Sequence, residues 1–277
     1  MRNQFIDAGT RDEIERIVDR VHRDLSLRND RVDLIQVRDL LKLDLAYYSA
    51  NDPGLADEVL HKLRLGAKQL LDLPSKLKDV VKQFDLSALL IPGRKKIVLN
   101  TDLLPDTKQR WAESHEIAHS LLPWHQEFML GDTQTTLSPA CHEQIEAEAN
   151  YGGGRLLYPH RALLEVAKSS PVSMGHIKTI ATHFGNSITS ALWRFVELCD
   201  TPCLGVIGAH PRRASNLDEA IQYFITSLSF ADQFRNISEE QIFQVLQSFC
   251  SFKKAGPLGH HEFVLLDANG EQHVFLA

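Results

Sequence analysis

The sequence predicts an α+β fold that is mainly helical, with one small β-sheet and a small α/β module at its C-terminal end. Apolar residues recur at the spacing of amphipathic helices in most segments between residues 10 and 200. Two β-prone runs flank Pro92-Gly93, and residues 201–277 alternate strand-like with helical segments. Together these patterns indicate helices packed against a limited sheet.

Composition narrows the class of protein further. The chain has 277 residues, 43% hydrophobic and 24% charged, which excludes a disordered chain, a collagen and a disulfide scaffold. The net charge of −6 disfavours nucleic-acid binding through overall charge. Four cysteines without Cys-x-x-Cys spacing, a charged opening segment and no long apolar window predict a cytoplasmic protein without membrane association.

The first part of the chain is predicted to be helical. Residues 10–27 repeat apolar side chains at Ile14, Val18 and Val21 and present a polar opposite face. Asn51-Asp52-Pro53-Gly54 has the composition of a turn. Further helices are predicted over residues 34–42, 55–71 and 75–84.

The character of the sequence then changes. The β-prone runs 86–91 and 97–100 predict a hairpin or two neighbouring strands. A helix begins near Pro105-Asp106 and runs to about Leu122, because Pro123 cannot continue it.

Residues 123–137 are predicted to form a loop, and the next helix begins at Ser138 with Pro139 in its first position. Gly152-Gly153-Gly154 is expected to weaken or bend that helix, at about 1 kcal/mol per glycine relative to alanine. Breaks at Pro171 and Gly185-Asn186 then divide residues 160–199 into three helical pieces.

The end of the chain is predicted to alternate strands and a helix. Its last two strands form a hairpin with a type I′ turn at Asn269-Gly270. The predicted elements cover residues 204–209, 223–228, 239–249, 263–266 and 273–276.

The segment Trp111–His119 contains the pattern H-E-x-x-H. Histidines four residues apart lie on one face of a helix, so His115 and His119 can both reach one zinc ion. Glu116 lies about 100° round the helix. There it is poor as a ligand but close enough to accept a proton from water at the ion.

A catalytic zinc takes three protein ligands and keeps one open position. The following helix offers Glu143, Glu146 and Glu148. Glu146 is favoured as the third ligand, since Asn150 follows one turn later and can orient one of the histidines. The competing interpretation is an acidic, solvated helix, and the neighbouring Cys141 and His142 remain further candidates.

Four features in order resemble the ImmA/IrrE family of zinc metallo-endopeptidases. They are Ile97-Val98-Leu99-Asn100, HEIAH at 115–119, Glu146-Ala147-Glu148-Ala149-Asn150 and Leu156-Leu157-Tyr158-Pro159. The resemblance covers residues 86–160 and implies a zincin-like metallopeptidase core. It implies His115, His119 and Glu146 as ligands and Glu116 as catalytic base. The spacing of Glu146 and Asn150 is also similar to the third-ligand helix of thermolysin-like enzymes, where an Asp replaces the Asn.

The chain departs from the family pattern at two places. Tyr151-Gly152-Gly153 stands where the family usually has Phe-Ala after the Asn, and Ala118 replaces a commoner Gly. The glycines can bring the two motif helices close together, or they can loosen the site.

Residues 173–198 resemble a helix-turn-helix, a segment that often follows the peptidase core in this family. Arg194 is the one basic residue on its second helix, so a packing or substrate-docking role is favoured over DNA contact. The sequence therefore predicts three parts: a metallopeptidase domain over residues 1–165, a helix-turn-helix-like segment over 166–200 and a small α/β module over 201–277.

The function expected from these features is that of a zinc-dependent endopeptidase. The resemblance implies a protein substrate, a helix-turn-helix transcriptional repressor whose cleavage regulates gene expression. The alternatives are a non-catalytic regulatory protein that binds DNA or a partner repressor through the same fold, and a peptidase-like toxin or antitoxin partner. The intact Glu116 favours the enzyme over a scaffold. Two imidazoles and a carboxylate also accept Mn²⁺, Co²⁺ or Fe²⁺, so the motif does not select zinc uniquely.

Smaller signals leave several residues open. Tyr151, Tyr158 and His160 are each candidates to stabilise an oxyanion, and the sequence does not choose between them. Cys199 and Cys203 are expected to be small buried residues rather than a metal pair. His125 and His142 are expected at the surface or at a cap, although either can assist the site.

Overall fold

A computed structural model shows how these segments fold. It describes residues 2–26, 30–48, 88–91, 95–100, 106–125, 139–249 and 261–276. The predicted turn at 51–54 and the predicted helices 55–71 and 75–84 lie outside this description. The described chain is mainly helical with small sheets, which confirms the predicted α+β class. Within it, no helix combines the length and the apolarity needed to cross a membrane.

The chain divides into two compact units. One unit comprises Ile6–Ser190, and the other comprises Ala191–Ala277 together with Met1–Phe5. The three-part division expected from the sequence stays a prediction. The elements that begin in the Ile6–Ser190 unit are α1 (Ala8–Asp24), α2 (Leu34–Leu41), β1 (Asp44–Tyr48), β2 (Ala88–Ile91), β3 (Lys96–Asn100), α3 (Asp106–Leu121), α4 (Pro139–Leu157), α5 (His160–Ala167), α6 (Met174–Phe184) and α7 (Ile188–Leu198).

The sheet of this unit has the strand order β1-β3-β2. Strand β3 is central and buries Ile97, Val98 and Leu99, while β2 pairs with it antiparallel as the sequence predicts. Strand β1 pairs with β3 in parallel and was not predicted. It follows α2 directly, because Lys42 adopts a left-handed conformation with φ of 56° and ends that helix without a glycine.

Helix α1 packs its predicted apolar face against α4. Asp7 caps it by accepting a hydrogen bond from the Thr10 N–H at 3.0 Å, and Ile14, Val18 and Val21 are buried. Burial of these side chains stabilises the pair of helices by removing apolar area from water.

Helices α6 and α7 form the predicted pair joined by a short turn. Ser173 caps α6, and Gly185 ends it with φ of 67°, a conformation that favours glycine. Arg194, the basic residue of α7, is 3% exposed and forms an ion pair with Glu197. The α7 helix therefore does not offer Arg194 to a phosphate, which weighs against DNA contact through this residue.

The second unit contains two small antiparallel sheets around an aromatic core of Phe224, Phe230 and Phe234. The Asn3 side chain extends the first sheet, since it both donates to the carbonyl of Thr226 and accepts from its N–H. The elements are β4 (Leu204–Ile207), α8 (Leu217–Ala220), β5 (Tyr223–Thr226), α9 (Leu228–Gln233), α10 (Glu239–Phe249), β6 (Glu262–Leu266) and β7 (Gln272–Leu276).

Strands β6 and β7 form the predicted hairpin, but the predicted type I′ turn is wrong. Gly270 has φ of 84°, whereas Asn269 is not among the residues with positive φ. The Asp267 carboxylate accepts hydrogen bonds from the N–H groups of Asn269 and Glu271, at 2.8 and 2.9 Å. An Asp in this role favours a type I turn followed by a left-handed glycine, which explains the difference.

Candidate metal centre

Helix α3 carries the H-E-x-x-H motif and is anchored at several points. Its Glu113 forms an ion pair with Arg38 of α2, with 2.6 Å between Oε1 and Nε, and both side chains are largely buried. Glu116 and His119 are buried, with 8% and 6% exposed. The helix ends at Leu121, and residues 123–125 form a further helical turn where a loop was predicted.

Helix α4 approaches α3 through its glycines. A Cβ atom at Gly152 would lie 3.1 Å from the Ala118 Cβ, and one at Gly153 would lie 3.1 Å from backbone atoms of Ser114 and His115. The helix continues through all three glycines to Leu157. The glycines therefore allow the close approach that the sequence left open.

This approach brings His115, His119 and Glu146 together. The His115 Nε2 lies 3.2 Å from Glu146 Oε2, and the His119 Nε2 lies 3.6 Å from Glu146 Oε1. The two Nε2 atoms are 3.1 Å apart. Three potential ligand atoms thus converge on one point, from two positions of the motif and from the favoured carboxylate of the next helix.

Asn150 of α4 lies beside one of the two motif histidines. Its Oδ1 is 3.0 Å from His115 Nδ1 and can only accept a hydrogen bond. A neutral His115 therefore carries its proton on Nδ1 and presents an unprotonated Nε2 to the site.

Burial and the contacts among His115, His119 and Glu146 have opposite effects on the pKa values of these three residues. Burial alone would raise the pKa of Glu146, but the neighbouring imidazoles of His115 and His119 hold it well below its usual range. Burial lowers the pKa of His119 to about 4, so its ring is neutral near pH 7. For His115 the carboxylates of Glu146 and Glu116 outweigh burial and raise the pKa.

Glu116 lies in the environment that a general base requires. Burial raises its pKa to about 7, and the backbone N–H of Leu90 on strand β2 hydrogen-bonds to the carboxylate. A carboxyl group with this pKa accepts and returns a proton near neutral pH. Strand β2, at the edge of the sheet, therefore positions Glu116, which does not belong to the group formed by His115, His119 and Glu146.

The donor set fits a divalent ion. Ligand atoms about 2.0–2.1 Å from a tetrahedral zinc lie about 3.3 Å from one another. Here the two Nε2 atoms are 3.1 Å apart, and each lies near a different oxygen of the Glu146 carboxylate, His115 Nε2 at 3.2 Å from Oε2 and His119 Nε2 at 3.6 Å from Oε1. Two imidazoles and one carboxylate are also the ligand types that zinc takes in catalytic sites.

The other candidates lie elsewhere. Glu143 is exposed on α4, and the His142 side chain is outside the described part of the chain. The Tyr151 hydroxyl donates to Glu15 at 2.5 Å, the Tyr158 hydroxyl bonds to Ser190 at 2.9 Å, and His160 is exposed. The hydrogen bonds of the two tyrosine hydroxyls described here are therefore to residues outside the three-residue group. Cys199 and Cys203 are free and half-buried.

Sequence reasoning named two further residues next to the site, His125 and Glu148, but did not identify their contacts, and it expected His125 at the surface or at a cap, whereas the structure buries it. His125 Nδ1 lies 3.0 Å from His119 Nδ1, and His125 Nε2 lies 2.9 Å from Glu148 Oε2. A signal was present, because a histidine six residues after the second motif histidine is the third ligand in another class of H-E-x-x-H peptidases. Here His125 lies against the Nδ1 side of His119, away from Nε2, and Glu146 occupies the third position.

The buried carboxylate of Glu148 is satisfied by hydrogen bonds. Its carboxylate accepts hydrogen bonds from Trp124 Nε1 at 2.6 Å, from His125 Nε2 and from Gln144 Nε2 at 2.9 Å. Although burial alone would raise it, these bonds hold the pKa of Glu148 below its usual range. The carboxylate therefore stays ionised behind His119.

A second group with metal-ligand chemistry occurs in the described chain, at Asp267, Glu271 and His273. Its carboxylate at Asp267 is engaged in the hairpin turn described above and contacts His273 Nε2 at 3.2 Å. The contacts are those of a turn, so this group adds nothing to the site on α3 and α4.

Comparison with known proteins agrees with the motif analysis. Residues 70–195 match the Peptidase_M78 family, described as IrrE N-terminal-like domain. Among solved structures, a Mycobacterium tuberculosis transcriptional regulator is similar, with 14% identity, a TM-score of 0.43 and 79% of this chain covered. The match spans 59% of that regulator's chain. A search of curated proteins returned no match.

Proposed function

We propose that the protein is a metal-dependent endopeptidase, from the premise that residues 70–195 match the IrrE N-terminal-like domain of the Peptidase_M78 family. The observation that carries the proposal is the convergence of His115, His119 and Glu146 within 4.8 Å, with Glu116 buried next in the chain. A scaffold has no need of this buried carboxylate, because burying an ionisable group costs stability.

His115 Nε2, His119 Nε2 and the Glu146 carboxylate would hold the ion. A divalent ion in this position supplies a Lewis acid for a peptide carbonyl and lowers the pKa of water. Zinc suits the donor set best, and Mn²⁺, Co²⁺ or Fe²⁺ also accept two imidazoles and a carboxylate.

Three residues of the chain have separate roles in the proposed reaction. Glu116, whose pKa is raised to about 7 by burial, takes a proton from the attacking water and gives it to the leaving amine. The Leu90 N–H holds that carboxylate in place. Asn150 keeps the His115 proton on Nδ1, so the ring cannot turn its protonated nitrogen into the site.

The proposed substrate is one protein rather than many, a helix-turn-helix transcriptional repressor whose cleavage switches genes on, acting in the cytoplasm. This part of the proposal comes from the ImmA/IrrE resemblance. The competing hypothesis is a non-catalytic regulator that binds DNA or a repressor. The two differ in whether Glu116 is required.

The first test is metal content. We expect about one zinc per chain in the purified wild type and its loss in His115→Ala and Glu146→Ala, measured by mass spectrometry. Glu143→Ala is the matched control, since Glu143 lies exposed on the same helix and should leave the metal in place. Metal retained in Glu146→Ala would overturn the three-ligand assignment.

The second test is proteolysis itself. Wild type and Glu116→Gln are expressed in the same cells, and newly formed protein N-termini are labelled and identified by mass spectrometry. We expect termini that appear with the wild type and disappear with Glu116→Gln, while both bind metal. Equal termini from both proteins would rule out the proposed role of Glu116.

A further inference from the structure

A buried chain of hydrogen bonds lies behind His119. It runs from His119 Nδ1 to His125 Nδ1 at 3.0 Å and from His125 Nε2 to Glu148 Oε2 at 2.9 Å. His125 is 0% exposed and Glu148 is 3% exposed. Burying a carboxylate this deeply is costly unless it is fully hydrogen-bonded, which Trp124 and Gln144 help to achieve.

The chemistry of the groups sets the direction of each proton. A carboxylate only accepts, so the Nε2 of His125 must donate to Glu148. A neutral His125 then has an unprotonated Nδ1, which accepts the proton on Nδ1 of His119. The Nε2 of His119 is left unprotonated, and this is the atom that faces Glu146 and His115.

We propose that Glu148 and His125 are positioning residues that fix the tautomer and the ring orientation of His119, so that its Nε2 is ready to bind the metal. The proposal rests on the proposed function, in which His119 is a ligand. His115 has the simpler arrangement, with the neutral Asn150 as its acceptor. The two histidines therefore differ in what lies behind them: an amide for one, a charged carboxylate acting through a second imidazole for the other.

We call the hydrogen-bonded chain from His119 through His125 to Glu148 the relay. Two substitutions of His125 each remove one of its two hydrogen bonds. In His125→Asn, the amide oxygen lies near the position of Nδ1 and can still accept from His119, but the bond to Glu148 is lost. In His125→Gln, the longer amide reaches the position of Nε2 and can still donate to Glu148, but no acceptor remains for His119. If the relay positions His119, Gln is the more damaging change.

The tautomer can be measured without any metal. Nitrogen-15 NMR of the metal-free protein, with the His119 signals assigned through His119→Gln, distinguishes Nδ1–H from Nε2–H imidazole. We expect His119 to be the Nδ1–H tautomer in the wild type and in His125→Asn. We expect a mixture or the Nε2–H tautomer in His125→Gln.

Metal affinity gives the second readout. Competition with a chelator for Zn²⁺ should show a 10- to 100-fold weaker affinity in His125→Gln, the range typical of lost outer partners. His125→Asn should lose less, and Glu148→Gln, which keeps an acceptor and loses the charge, should fall between them. His176→Asn is the control, because His176 is a buried histidine in the same compact unit whose Nε2 contacts the Ala167 carbonyl.

The outcomes separate this proposal from the proposed function. An Nε2–H tautomer of His119 in the wild type, or an unchanged tautomer and zinc affinity in His125→Gln, overturns the relay. A wild type that binds no zinc refutes the metal centre, and the NMR measurement still decides whether the relay controls His119. If His125→Gln does not fold, as judged by circular dichroism, Glu148→Gln and Glu148→Leu take its place in both measurements, with Leu expected to be the worse.

Discussion

The contact between Gly152 and Ala118 allows a sharp test of how the two motif helices fit. The ImmA/IrrE pattern commonly has a glycine at position 118 and an alanine at position 152, whereas this chain has the reverse. A Cβ at position 152 would lie 3.1 Å from the Ala118 Cβ. We therefore expect that the interface accommodates one methyl group, on either helix but not on both.

The size of the effect follows from the geometry. Gly152→Ala gains about 1 kcal/mol of helix propensity and loses about 1–3 kcal/mol to overpacking, for a net loss of about 0–2 kcal/mol. Ala118→Gly loses about 1 kcal/mol of propensity and about 0.8 kcal/mol of methyl burial. In the double variant both terms cancel, so its stability should lie within about 0.5 kcal/mol of the wild type.

The assay is urea unfolding of the wild type, both single variants and the double variant, with chelator present. The double-mutant cycle should give a favourable coupling of about 2 kcal/mol or more. Gly175→Ala serves as a control for helix propensity alone, since its added Cβ meets nothing closer than 3.7 Å, and it should stabilise the protein. Additive single effects, with coupling below about 0.5 kcal/mol, would falsify the one-methyl interpretation.

Two further perturbations test the electrostatics around α3. In metal-free protein, the folded pKa of Glu116 is raised to about 7 against 4.5 when exposed, so the folded state binds more protons between these values and stability falls as pH rises through them. Glu116→Gln should remove about 3 kcal/mol of that decline in urea unfolding measured from pH 4.5 to 7.5, and parallel curves for both proteins would contradict it. Arg38→Ala removes the ion-pair partner of the largely buried Glu113 carboxylate and should cost about 3 kcal/mol. Adding Glu113→Gln should recover part of that loss, and no recovery would show that the ion pair is not its cause.

The parts of the site that the sequence predicts are those with local, periodic geometry. The spacing of His115 and His119 on one helix, and of Glu146 and Asn150 on another, translates directly into shared helix faces. Glu148 could not be assigned in this way. It lies on another face of α4, and its role depends on where the chain turns after α3.

The missed elements depend on contacts between distant residues. Strand β1 is short and partly exposed, and its identity comes from pairing in parallel with β3 across a long stretch of sequence. The Asn3 side chain forms two hydrogen bonds with the backbone of Thr226, more than 200 residues later, in the way that a paired strand would. No local hydrophobic period encodes either contact.

Helix α4 carries a carboxylate for each side of the His119 ring, and this links the packing of the two helices to the site. Glu146 faces Nε2, while Glu148 acts on Nδ1 through His125. A displacement of α4 away from α3 therefore moves the third ligand, the Asn150 acceptor and the relay carboxylate together. Because a Cβ added at Gly153 would lie 3.1 Å from backbone atoms of Ser114 and His115, it would push α4 outward and change all three contacts at once. Gly153→Ala should consequently weaken zinc binding by a larger free energy than it costs in unfolding. A loss confined to stability would show that the site tolerates movement of this helix.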